Sequence, residues 1–281
     1  MKRAITKTTA PQKNAISSTT WQLKINIRNM KYLSVLSLLL FVGLSASAQT
    51  ENWSFSLSMG GAWPLSTFKD NNPDNTKAGH ARQGFNMTLE SNYALQDNLA
   101  LTGMLNFGNN PVNRDGVGTR LENMFNENYS ITPTERDNLK LNANSWLWGS
   151  ILTGLRYSIN FNTFSWDFQA LGGVNVNFLP NQQLIYDNPN NDWYYINQAT
   201  NRNNLAFAWK AGTALRFAVS PRTNLQLGLS YFQSSAKISR EEKEVEKGTI
   251  TNSTRTFIGK EDNCYTLSTL NATIGFVYYL E

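Results

Sequence analysis

His80 is the only histidine in the chain, and Asp70, Asp74 and several serines lie close to it in sequence. An imidazole that borrows order from a carboxylate and activates a hydroxyl is the apparatus of nucleophilic hydrolysis. No serine stands at a telling spacing from His80, so a solvated loop histidine is the expectation. The run Asp70-Asn71-Asn72-Pro73-Asp74-Asn75 places side-chain oxygens at alternate positions, as a calcium loop does. Its sixth residue is Asn75 where glycine is needed, and its twelfth is Ala81 where a glutamate would close the shell. A polar turn is therefore expected. There is no zinc constellation, phosphate-binding glycine loop or nucleotide fingerprint, and no cofactor is implied. Cys264 is the single cysteine and has no internal disulfide partner. What remains is a scatter of charges, Glu90, Arg156, Asp167, Lys210 and Arg216, whose meaning depends on the elements that carry them.

Those elements read with a period of two. In Leu205 to Phe232 one face carries Leu205, Phe207, Trp209, Ala211, Thr213, Leu215, Phe217 and Val219, and the other carries Ala206, Ala208, Lys210, Gly212, Ala214, Arg216 and Ala218. That is strand alternation, not helical spacing. After Ser220 to Thr223 the rhythm restarts with Leu225, Leu227, Leu229 and Tyr231. Soluble strands average about five or six residues, whereas a tilted strand crossing a bilayer needs about nine to eleven. Strands of this second kind are predicted at Trp53 to Trp63, Gly84 to Ala94, Leu99 to Phe107, Trp146 to Ile159 and Phe164 to Phe178. The two halves of the hairpin and a final strand through Leu280 bring the count to eight. Four long connections alternate with three short ones, the rhythm of a barrel with long extracellular loops and tight periplasmic turns. On this plan Ser220 to Thr223 faces the periplasm, while Phe207, Trp209 and Tyr231 mark the outer lipid edge. Trp146 and Trp148 fall out of phase with Leu155, Tyr157 and Ile159, and a bulge near Gly149 is expected to return both to the lipid edge.

With the apolar face outward, the charges turn inward. Glu90, Arg156, Asp167 and Arg216 each lie about four to six residues from a short turn, which puts them at one level of the lumen. Two acids and two bases at one level predict a paired ionic layer, structural in the first instance and a solute gate in the second. Lys210 lies higher with no evident partner. In the loops, Thr119 with Glu122 and Thr132-Pro133 with Glu135 have capping-box spacing, which predicts short helices. Trp193, Tyr194 and Tyr195 form an aromatic cluster suited to a contact surface, with a place in the aromatic girdle of the barrel rim as the preferred reading. The mixed-charge run Arg240 to Lys247 reads as a solvated extension of the final hairpin or a short helix.

The amino-terminal region reads as a secretory leader. Lys31 precedes the apolar run Leu33 to Leu44, and Ala46-Ser47-Ala48 forms a small-residue cleavage box before Gln49. Met30 is the expected translation start, with a genuine long basic n-region over residues 1–29 as the alternative. Seven basic and no acidic residues precede Gln49, leaving 18 basic against 20 acidic residues in the mature chain. The overall charge of +5 is thus a property of the leader, and it gives no support to nucleic-acid binding.

The AQ cleavage site, the first strand WSFSLSMGGAWPLSTF, the pattern LTGLRYSI and the closing strand NATIGFVYYL resemble the small eight-stranded outer-membrane barrels of the OmpA/OmpX type. The similarity is closer to the outer-membrane-protein β-barrel-domain (PorT-like) group. It implies an all-β, eight-stranded antiparallel up-and-down transmembrane barrel over residues 49–281, behind an extension and signal peptide over 1–48, integral to the outer membrane of a Gram-negative cell. It also implies a monomer surrounded by outer-membrane lipid, delivered by periplasmic chaperones and the outer-membrane assembly machinery. Such barrels often end in an aromatic residue, whereas this chain ends Tyr279-Leu280-Glu281. Some of these barrels modify lipid A with a histidine, a serine and a carboxylate. The expectation here is a non-enzymatic role in envelope structure or surface interaction, its extracellular partner unknown, with a narrow solute pore as the alternative.

Overall fold

The computed structural model describes residues 52–75, 77–128, 139–180, 182–188, 193–201, 204–248 and 254–280. The leader and Met30 expectations lie outside these residues. Eleven strands are present: β1 (Trp53–Pro64), β2 (Gly84–Gln96), β3 (Leu99–Asn110), β4 (Leu139–Ala143), β5 (Trp146–Asn160), β6 (Phe164–Phe178), β7 (Gln182–Asn188), β8 (Trp193–Asn201), β9 (Asn204–Ser220), β10 (Thr223–Gly248) and β11 (Thr254–Tyr279), with helices α1 (Ser66–Lys69) and α2 (Arg114–Asn128). Eight of the strands close on themselves in the order β1-β2-β3-β5-β6-β9-β10-β11, because β11 pairs antiparallel with both β10 and β1. Closure leaves this part of the sheet without an edge.

The barrel is polar within and apolar without. Ser54, Ser56, Ser58, Asn86, Thr88, Glu90, Asn92, Thr102 and Asn106 are buried, whereas Leu57, Met59, Phe85, Leu89, Leu101, Ile151, Leu155, Val174, Phe207, Leu229 and Phe276 are exposed around the whole outer wall. Single exposed apolar residues need no explanation, but a continuous apolar belt does. Stacked or tilted aromatic pairs gather at the short-turn end of the wall, among them Phe161 with Phe164 at 4.5 Å and Trp166 with Phe168 at 4.8 Å. Such rings suit the edge of an apolar band.

At the opposite end the sheet continues past the rim. β10 keeps its ladder with β11 from Thr223↔Tyr278 to Lys247↔Thr254. Beyond the barrel β10 also pairs with β8, β8 with β7, and β7 with β4. The run Arg240 to Lys247 is thus strand within a five-stranded projection. Tyr195 stands opposite Glu246, about twelve residues, or roughly 40 Å, past the last β9–β10 pair at Ser234↔Ala208. That distance removes the backbone of Trp193, Tyr194 and Tyr195 from the barrel rim, so the girdle reading fails. The helix in the second long loop begins at Arg114, ahead of the Thr119 cap; Thr119 Oγ1 instead donates to the carbonyl of Asp115, 3.0 Å away, inside it. The Thr132 cap lies outside the described residues.

The phase of β5 also differs from expectation. Its ladders run from Asn110↔Trp146 to Leu99↔Tyr157 on one side and from Leu147↔Phe178 to Asn160↔Ser165 on the other, with no register shift at Gly149. Unbroken alternation turns Trp146 and Trp148 into the lumen, where they are 4% and 2% exposed. Gly108 on β3 makes the room, since a Cβ there would lie 2.0 Å from the Trp148 ring.

Candidate functional site: a lumen closed in two layers

The lower layer, nearer the short turns, is ionic. Glu90 on β2 stands opposite Ser56 and Met104, Arg156 on β5 opposite Ala100 and Gln169, and Asp167 on β6 opposite Ser158 and Ala214. Arg216 on β9 completes the set. All four are buried. Arg156 Nη2 donates to Glu90 Oε2 and, at 3.2 Å, to Gln169 Oε1, while Ser56 Oγ donates to the same Glu90 oxygen at 3.2 Å. Arg216 grips Asp167 at two points, Nε to Oδ2 and Nη2 to Oδ1, both 2.6 Å. Arg216 also donates from Nη2 to Ser158 Oγ at 3.0 Å and from Nη1 to Tyr279 Oη at 2.7 Å. Arg156 Nε lies 3.9 Å from Asp167 Oδ2, which joins the two pairs into one chain across the lumen. A carboxylate and a guanidinium taken out of water recover their hydration only through contacts of this kind.

The upper layer is apolar and escaped the sequence reading. Trp148 stacks on Phe232 with ring centroids 4.6 Å apart and planes 11° apart. Met104, Leu152, Leu171, Ala208, Tyr265 and Leu267 join them in one buried cluster. The first long loop seals it from above: Phe68 of α1 meets Trp146 edge-on at 5.3 Å, and Trp146 Nε1 donates to the Gly79 carbonyl at 2.8 Å. Lys210 sits between the layers, buried, with Nζ 3.4 Å from Met104 Sδ, a weak acceptor for an ammonium.

His80 corrects the expectation of a solvated imidazole. It is 1% exposed, with φ +49°, in the left-handed region that histidine tolerates better than most residues. Its N–H donates to the Asp70 carbonyl at 3.0 Å and its carbonyl accepts from Asn113 N–H at 2.6 Å, tying the first loop to the residue just before α2. The neighbouring Asp and Asn oxygens are consumed by local turns. Asp70 Oδ1 accepts from the Asn72 N–H at 2.9 Å, Asp70 Oδ2 from Asn75 Nδ2 at 2.6 Å, and Asn72 Oδ1 from the Asp74 N–H at 3.1 Å. The Asn72 N–H, then the Asn75 amide, holds the Asp70 carboxyl below its ordinary value. Its contribution to the turn is therefore complete above the unfolded-state pKa and lost as pH falls through the lower folded-state one. Among the described residues no cluster of three potential metal ligands forms.

No family model matches the chain, and no curated protein does either. Solved structures do. The attachment invasion locus protein Ail of Yersinia pestis is 14% identical, with 82% of this chain and 100% of that one covered and a TM-score of 0.35. Neisserial surface protein A is 11% identical over 82% and 97%, with a TM-score of 0.34. A major outer membrane protein from Thermus thermophilus is 10% identical over 80% and 98%, with a TM-score of 0.42. The assignment of an eight-stranded barrel rests on its closed ladder.

Proposed function

We propose that this chain is an integral outer-membrane barrel with a non-enzymatic role, presenting a β-sheet at the cell surface for contact with other molecules. The observation that carries the surface role is the projection of β11, β10, β8, β7 and β4 beyond a barrel whose lumen is closed by two layers. Among the described residues β4 has one partner strand, and β11 from Thr254 to Leu267 has β10 alone. Strand edges of this kind offer backbone N–H and C=O groups to an extended segment of another molecule. Trp193, Tyr194 and Tyr195 lie on β8 of this sheet. The two lumen layers argue against the pore, and the burial of His80 argues against a hydrolytic site in the first loop. Trimming the projection back to the rim is expected to preserve outer-membrane insertion and abolish attachment of expressing cells to protein-coated surfaces. Unchanged attachment, or steady conductance by the intact protein in planar bilayers, would contradict the reading.

The membrane setting is supported by the polarity of the wall, since only a closed barrel crosses lipid as sheet. Outer-membrane lipid then replaces water around the belt, the chain acts as a monomer, and periplasmic chaperones and the assembly machinery supply it. Ile151 is 54% exposed within β5. Ile151→Arg is expected to cost about 2–4 kcal/mol for the barrel folded in bilayers, the penalty for arginine on a lipid face. Urea titrations in vesicles measure it; a barrel solvated by water would register almost no loss.

A further inference from the structure

The lumen does not balance its charges. Among the described residues the buried ions within the barrel are Arg156, Lys210 and Arg216 against Glu90 and Asp167, an excess of one positive charge. Arg216 donates from Nη1 to Tyr279 and from Nη2 to Ser158 and Asp167, and its Nε lies 2.6 Å from Asp167 Oδ2. Arg156 is less well met: Nη2 serves Glu90 and Gln169, Nε lies 3.9 Å from Asp167 Oδ2, and Nη1 has no hydrogen-bond partner among the described residues. A guanidinium carries five N–H groups, and a buried one left unmet is costly.

A cavity of about 300 Å³ adjoins these groups and reaches the short turns. Arg156, Arg216, Ser158, Ser165 and Asn92 line it, and Asp97, in the β2–β3 turn at its mouth, is the only carboxylate among the described residues of its wall. Ser158 Oγ accepts from Arg216 and so keeps its own O–H to donate. The space is at the lower limit of small-molecule sites and suits a compact group with a few waters rather than an acyl chain.

We propose that this cavity binds a small free oxyanion, a phosphate or carboxylate, with the Arg156 and Arg216 guanidiniums that line it as charge partners and Ser158 and Ser165 as further donors. Bound there, beside two guanidiniums, the anion offsets the excess positive charge of the lumen. The site depends only on the barrel lumen; its opening to the periplasm rests on the orientation proposed above.

The test uses the intact barrel refolded in an amine-oxide detergent, with its urea midpoint measured in millimolar inorganic phosphate and in chloride of equal ionic strength. Phosphate is expected to raise the midpoint and chloride to leave it unchanged. Ser165→Asp, which sets a fixed carboxylate in the cavity while keeping both arginines, is expected to weaken phosphate binding by about tenfold or more through like-charge repulsion. Asn160→Asp, at the exposed mouth, serves the same purpose should the first variant fail to fold. No phosphate-specific shift in the parent protein, or a full shift in the folded variant, overturns the site. A shift given by phosphatidylglycerol vesicles while free phosphate is silent assigns the cavity to a lipid headgroup and overturns the free-anion reading. None of these results depends on surface attachment.

Discussion

Arg216→Ala is expected to destabilise the folded barrel by about 3–5 kcal/mol, the cost of stranding a buried ion whose partner has been removed. Asp167 would lose its two 2.6 Å contacts and retain only the distant Arg156 Nε. Unfolding in urea, followed by tryptophan fluorescence in lipid vesicles, measures the loss. Because the penalty comes from the orphaned carboxylate, Arg216→Met with Asp167→Leu should recover most of it. Conductance should stay closed in the single variant, since Trp148 and Phe232 fill the lumen above. Unchanged stability with a large rise in conductance would instead make the ionic layer a gate.

Trp148→Ala is the second large effect, at about 3–5 kcal/mol for a buried aromatic removed from a packed cluster. The indole would leave Phe232 without its stacked partner and Asn110 Oδ1 without the 3.3 Å hydrogen bond from Trp148 Nε1. Trp148→Phe should cost distinctly less, because the ring contact survives in part. The same urea titration separates the variants. Equal stability of Trp148→Ala and the parent would return this ring to the lipid edge, where the sequence reading had placed it.

That misplacement shows where residue patterns stop being legible. Alternation is imposed by the pleat itself, so the eight barrel strands could be located from spacing alone, and the lumen charges followed from their distance to the turns. Trp148 was misread because tryptophan favours both a lipid edge and a packed interior. Its phase within β5 was the better guide, and the preference for an aromatic edge overrode it. The projection was legible only in part. Arg240 to Lys247 has no apolar face to bury, so its composition left a hairpin extension and a short helix both open; its ladder with β11 and β8 decides for the extended hairpin by satisfying backbone groups. His80 looked solvated because loops usually are, and the packing of the first loop against Asn113 and Gly116 of the second brings it inside.

Cys264 is the only cysteine in the chain and is exposed, on β11 five residues beyond Thr269, where the pairing with β1 ends. A membrane-impermeant maleimide added to intact cells therefore reads the orientation of the barrel directly. Labelling of Cys264 in intact cells is the predicted result, with Ser220→Cys in a Cys264→Ser background labelled only once the outer membrane is opened. Protection of Cys264 until that step, or recovery of the protein from the soluble periplasm without a heat-dependent gel shift, would contradict an outer-membrane barrel that carries its sheet outside the cell.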